Sequence, residues 1–135
     1  MIIHAGDFES LSVIQMLEEI APLTAVQGNM CNSKVKNKFP KRKVVKIEGL
    51  TIGITHGTGG PQGYYERVVD TFKDESNIPD IIISGHTHQP EAKMVNGIQV
   101  INPGSPTDKY FAPRNTVAIM EINGTEFHYR FVEIR

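Results

Sequence analysis

The sequence predicts an α/β protein built of two packed sheets with helices outside. Three observations point there. Short β-branched runs alternate with helical periodicities in the first half, Asn-Gly-marked hairpins fill the second, and polar residues suited to chemistry cluster at strand ends.

Met1-Ile2-Ile3 reads as the tail of a buried strand whose exit loop carries His4-Ala5-Gly6-Asp7. Ser10 is placed to cap a helix over Leu11 to Ile20, with Leu11, Ile14, Leu17 and Ile20 at helical spacing, and Pro22 forbids its continuation. A short strand over Leu23 to Val26 follows. Val44 to Ile47 and Leu50 to Thr55 form a hairpin around Glu48-Gly49, which puts His56 just past a strand end. Val68, Val69 and Phe72 mark one side of a helix over Tyr64 to Phe72. Ile81-Ile82-Ile83 is apolar throughout, as expected of a strand covered on both faces, and it runs into Ser84-Gly85-His86-Thr87-His88. Met94-Val95 and Ile98 to Ile101 flank Asn96-Gly97, while Val117 to Ile122 and Phe127 to Ile134 flank Asn123-Gly124, so two more hairpins close the chain.

At 135 residues, 39% hydrophobic and 21% charged, the chain fits one globular domain over residues 1–135. Such a chain buries enough apolar surface to fold without a disulfide or structural metal, so any bound metal is expected to be catalytic. A formal charge of -1 supplies no general attraction to nucleic acid or anionic membrane. The single Cys31 excludes an internal disulfide framework and fits a reducing compartment. No stretch approaches the roughly 20 apolar residues of a membrane span, and no signal-peptide pattern opens the chain, so a cytoplasmic location is expected.

Four segments deliver metal-type ligands at strand ends: Asp7, Asn29, His56, and His86 with His88. Ligand sites of α/β sheets gather outside the carboxyl ends of strands. Imidazole, carboxylate and amide oxygen together suit Mn, Fe, Zn, Ni or Co, and the lack of paired thiolates argues against a structural zinc finger. Gly6, Gly28, Gly57 and Gly85 stand beside these residues, where close backbone approach to an ion or phosphate is useful. If residues 85–88 continue a strand, His86 and His88 point the same way; if they form a loop, the two imidazoles diverge. His4 and His128 are isolated and read as ordinary core or surface histidines.

The ordered set Gly6-Asp7, Gly28-Asn29, His56-Gly57 and Gly85-His86-Thr87-His88 resembles the calcineurin-like metallophosphoesterase superfamily, in particular small bacterial and archaeal phosphodiesterases similar to the YfcE group. Ile101-Asn102-Pro103-Gly104-Ser105 and Pro113-Arg114 also look like that group. The resemblance implies a four-layer α/β/β/α fold and a phosphodiesterase with a dinuclear centre of Mn, Ni, Zn or Fe and a metal-bound hydroxide. It implies that Asp7 bridges the ions, that Asn29, His56 and His86 complete one, and that His88 belongs to the other. The family's second ion also takes an Asp-x-His motif from an earlier strand, and nothing precedes Met1 here. Either the natural protein is longer or half of the metal centre is gone, and the abrupt opening inside an apolar strand favours the former. One complete ion shell is then expected in this chain, with a first strand and helix missing. A gap or open sheet edge would follow, inviting homo-oligomerisation or marginal stability.

Cys31 stands where the family often has an acid or His that assists the leaving group; a thiol donor and a buried structural Cys are both compatible with it. Half of the basic residues, Lys34, Lys36, Lys38, Lys41, Arg42, Lys43 and Lys46, follow Asn29. They read as a solvated loop and a lysine-protected edge strand, with a steering rim for phosphorylated small molecules as the functional alternative. Phe39 is the only aromatic among them, so nucleic-acid binding is not implied. The segment from Gly57 to Gly63 lacks the ending of a nucleotide P-loop and reads as a mobile loop. Two rival functions remain open. One is an interaction scaffold, because a retromer subunit of the same fold uses its surface for protein partners; the other is a single-metal hydrolase of carboxyl or amide substrates.

Overall fold

In a computed structural model, residues 1–29 and 33–134 are described. Five strands form the main sheet: β3 (Arg42–Ile47), β4 (Leu50–Thr55), β5 (Ile81–Ser84), β6 (Pro90–Val95) and β7 (Ile98–Pro103), in the order β3-β4-β5-β7-β6. Its centre is parallel and its two outer pairs are antiparallel hairpins. The isoleucine run explains the placement of β5: every residue of that strand is buried, as a central strand covered on both faces requires.

Alternation along the strands separates two cores. Ile52, Ile54, Ile81, Ile83 and Ile101 face one side, where Ile3, Val26, Met120, Ile122, Phe127 and Phe131 meet them. Ile82, Ile98 and Val100 face the other, against Tyr64, Val68 and Phe72 of or just beyond α3 (Tyr64–Asp70). The layer opposite α3 consists of two separate ribbons. β1 (Ile2–His4) pairs in parallel with β2 (Leu23–Ala25), and β8 (Thr116–Asn123) pairs antiparallel with β9 (Glu126–Glu133). Outside β1 and β2 a third apolar cluster joins Phe8, Ile14, Ala25 and Val35, drawing in α1 (Leu11–Ile20) and α2 (Ser33–Lys38). The layers therefore run helices, ribbons, sheet, helix, which is the α/β sandwich expected.

Several local details differ from the sequence reading. The basic stretch expected as a solvated loop begins as α2, because Val35 reaches the core and gives Ser33–Lys38 one apolar anchor. Its second half is the expected edge strand, since β3 bounds the main sheet. Ser10 sits at the N-cap of α1 in an extended conformation, yet its hydroxyl pairs with Ser12 Oγ at 2.6 Å and caps no backbone N–H. Ile20 is 75% exposed and does not belong to the buried face of α1. The last hairpin turns at Gly124-Thr125, with Asn123 paired to Glu126. Gly124 has φ 64° at the first loop position, where a type II′ turn wants glycine. The Asn96-Gly97 turn follows its expected form, with φ 51° and 80° at its two residues. No helix is long and apolar enough to cross a membrane among the described residues.

Candidate metal centre

The parallel ladder of β1 with β2 brings the two chain exits side by side, so Gly6-Asp7 and Gly28-Asn29 emerge together. Their approach is closer than any side chain permits. A Cβ on Gly28 would lie 2.2 Å from Asp7 Oδ1 and 2.4 Å from Asp7 N, and one on Gly6 would lie 2.8 Å from Gly28 N. Gly6 and Asp7 both have positive φ, 102° and 63°. For an aspartate that conformation is uncommon, and it persists only where the surroundings over-determine it.

His56 follows the last residue of β4 and is buried, with 8% of its side chain exposed. Its Nδ1 lies 2.7 Å from the Ala5 carbonyl, which can only accept, so the proton sits on Nδ1. The Nε2 lone pair then faces two oxygens, Asn29 Oδ1 at 2.8 Å and Asp7 Oδ2 at 3.3 Å. A carboxylate oxygen, an amide oxygen and an imidazole nitrogen brought this close together form a ligand set that suits a divalent transition metal. The third donor of this cluster is an amide. Among the described residues, no group of three or more His, Cys, Asp or Glu side chains is gathered to hold an ion.

The segment after β5 is a loop, so His86 and His88 diverge. Both have positive φ, 70° and 60°. The His86 ring stands edge-on to His56, centroids 5.3 Å apart, and its Nε2 donates to the Gly59 carbonyl at 3.0 Å, leaving Nδ1 as the lone pair. His88 turns instead to Asp108, with Nδ1 2.5 Å from Oδ2. That carboxylate also accepts from the backbone N–H groups of Tyr110, Phe111 and Ala112. The Tyr110 N–H, with the help of His88 and Phe111, holds the Asp108 carboxyl down at about 2 against the opposing effect of burial. With Nδ1 committed to Asp108, His88 presents Nε2 outward, the orienting arrangement that metal-binding histidines commonly have.

Three further residues brace these loops. Asn102, fully buried, donates to the Gly85 carbonyl at 3.0 Å and to Thr87 Oγ1 at 2.9 Å, and accepts from Gly104 N–H at 3.0 Å. The Tyr64 hydroxyl lies 2.5 Å from the Gly85 carbonyl and 2.9 Å from the Ser84 hydroxyl, and burial pushes its pKa up. Arg67 donates to the carbonyls of Thr58 at 3.0 Å, Gln62 at 2.7 Å and Gly60. The glycine-rich segment expected to be mobile is thereby gripped at three points by one guanidinium.

Thus Asp7, Asn29 and His56 meet, His86 stands beside them, and His88 is held apart by Asp108. His4 supports the first loop: its Nδ1 accepts from Gly6 N–H at 3.1 Å, its ring stacks on Phe8 at 3.8 Å, and burial lowers its pKa to about 4. His128 is exposed on β9. Cys31 lies outside the described residues. Sequence reasoning did not single out Asp108, Tyr64 or Arg67; Asp108 in Thr107-Asp108 shares no motif with the histidine it orients.

Residues 1–125 match the calcineurin-like phosphoesterase superfamily domain, and the chain belongs to that family. A probable metallophosphoesterase of Methanothermobacter thermautotrophicus is 35% identical over 127 residues, which cover 92% of this chain and 70% of that protein. A phosphodiesterase of Methanocaldococcus jannaschii is 30% identical over 138 residues, covering 93% and 78%. Among solved structures, a single mutant of Vps29 from Entamoeba histolytica superposes with a TM-score of 0.78 at 24% identity, covering 98% of this chain and 81% of that one; this likeness is one of fold.

Proposed function

We propose that this chain is a metal-dependent phosphoesterase, acting on phosphodiesters of small molecules, with Asp7, Asn29, His56, His86 and His88 as its metal-binding and catalytic residues. The observation that carries the reading is the convergence of Asp7 Oδ2 and Asn29 Oδ1 on Nε2 of His56. Family membership and the 30%-identical phosphodiesterase supply the reaction class. In the full reading Asp7 would help hold both of two ions, Asn29, His56 and His86 would hold one, and His88 would hold the other. Bound divalent metal supplies Lewis acidity toward water and phosphoryl oxygens.

The chain's own residues do the positioning. The Ala5 carbonyl fixes the tautomer of His56, the Gly59 carbonyl fixes that of His86, and Asp108 fixes that of His88, so each ring offers a defined nitrogen. The left-handed backbone of Asp7, His86 and His88 aims the side chains from loops rather than along strands. A scaffold role has fold likeness alone behind it, and a pure scaffold has no use for this convergence of ligand-type side chains. Hydrolysis of bis-p-nitrophenyl phosphate decides the matter. Turnover is expected with Mn, abolished by EDTA, and lowered at least about a hundredfold in His56→Ala. A parent protein silent with Mn, Ni, Zn and Fe alike would remove the hydrolase reading.

A further inference from the structure

Beside the histidines lies a cavity of about 440 Å³, open to solvent, whose walls include Gly59, Pro61, His86, Thr87, His88 and Phe111. That size is in the range of small-molecule sites. Phe111 is 78% exposed and its neighbour Tyr110 88% exposed, so two large aromatic rings stand in water at the edge of the candidate site. Exposed aromatic rings on a loop are a weak signal when the loop is loose. Here it is fastened. Asp108 takes the N–H groups of Tyr110 and Phe111, Gln89 Nε2 donates to the Phe111 carbonyl at 3.4 Å, and Asn115 Nδ2 donates to the Asp108 carbonyl at 2.8 Å. The same Asp108 carboxylate holds His88, so the backbone that carries the Phe111 ring and the imidazole of His88 share one anchor.

The geometry points to Phe111 as a specificity residue: it forms an aromatic subsite that takes a planar aromatic or heteroaromatic substituent of a phosphate ester whose anionic group lies toward His86 and His88. This rests on the phosphoesterase reading for the anionic half and adds the chemical class of the other half. A ring face offers dispersion and quadrupole contact to any flat π-system, with little demand on its hydrogen-bonding edge. The cavity walls add to this in kind, since Gly59 and Pro61 line it together with Phe111 and the two imidazoles. Esters with aryl or nucleobase-bearing groups fit such a subsite, and short dialkyl esters leave Phe111 uncovered.

Binding of two non-hydrolysable probes separates this inference from the activity it builds on. Phenylphosphonate and methylphosphonate are titrated calorimetrically into the full chain, with Mn and again with EDTA, for the parent, Phe111→Ala, Phe111→Leu and Phe111→Tyr. The parent is expected to hold phenylphosphonate about tenfold more tightly than methylphosphonate, within the range of single stacking contacts. Phe111→Ala and Phe111→Leu should bring the ratio near one while leaving methylphosphonate affinity unchanged, and Phe111→Tyr should keep the preference. Equal affinities in the parent, no detectable phenylphosphonate binding, or a preference that survives Phe111→Ala would each overturn the subsite. Turnover of bis-p-nitrophenyl phosphate is scored separately: preference without turnover retains the subsite and removes the hydrolase reading, and turnover without preference does the reverse.

Discussion

His4 shows how a single residue can serve the site without joining it. Its imidazole must be neutral to accept the Gly6 N–H, and burial, the dominant influence, lowers its pKa from 6.5 to about 4, against a raising effect from Asp7. A group whose folded-state pKa lies below its unfolded value binds more protons when unfolded, so stability rises with pH across that window. Stability from His4 is therefore complete above about pH 6.5 and is lost as pH falls toward 4. At 1.36 kcal/mol per pKa unit, the loss is at most about 3 to 4 kcal/mol. Urea unfolding at pH 7 and pH 4.5 is the measurement: the parent should weaken more than His4→Phe, which keeps a ring on Phe8 and has nothing to protonate. Parallel losses in the two proteins would show that His4 stays solvated when folded. At this scale the placement of Asp7, Asn29 and the paired histidines on loops after strands was legible in the sequence, because Gly-Asp, Gly-Asn and Gly-His-x-His sit locally beyond apolar runs. Asp108 was not, because its partner His88 lies 20 residues away and a lone aspartate in a polar loop carries no periodicity.

Elements place these residues through a few buried polar braces. The loop after β5 carries two histidines in left-handed conformations, and Asn102 at the end of β7 holds it by two donated hydrogen bonds while its own oxygen fixes Gly104. Asn102→Ala should cost about 1–3 kcal/mol, the usual penalty for leaving buried polar partners unsatisfied. It should also lower phosphoesterase turnover more than substrate binding, since the affected loop aims His86 and His88. Chemical denaturation and a split of kcat from KM test both statements; full stability in Asn102→Ala would mean that water replaces the amide. The element boundaries themselves were largely written in apolar spacing: α1 spans Leu11–Ile20 and β4 spans Leu50–Thr55, as their patterns predict. α2 escaped notice because six residues with five polar side chains, three of them lysines, carry no amphipathic stripe, and one buried valine decides the matter. The β8–β9 turn shifted by one residue because Gly124 prefers the first loop position over the second position that Asn-Gly would give it.

For the whole molecule, the strand-then-hairpin order predicted a layered α/β sandwich, and the chain folds as one. The division of one layer into two short ribbons depends on pairings between distant strands, which apolar patterns do not specify. This division has an energetic consequence. β5 is flanked in parallel by β4 and β7, and Ile81 and Ile82 are fully buried, so its amides have no route to solvent short of dismantling both cores. β1 and β2 share only three paired residues, and among the described residues neither has another strand beside it. A three-residue ladder with unpaired outer edges opens at low cost, and local openings span the range from near zero to the global free energy. Native-state hydrogen exchange should therefore rank the molecule, with the amides of Ile82 and Ile83 following global unfolding as urea is added, and those of Ile2 and Val26, which donate across the ribbon to the carbonyls of Pro22 and His4, exchanging through a smaller, less urea-sensitive opening. Because that ribbon delivers Asp7 and Asn29, the same opening would separate the carboxylate and amide from His56. If the proposed metal site forms, addition of Mn should then slow exchange at Ile2 and Val26 more than at Ile82, since an ion held by both exits would stabilise the closed ribbon against its local opening. Uniform protection of β1, β2 and β5 without metal would show that the ribbon is no weaker than the sheet behind it.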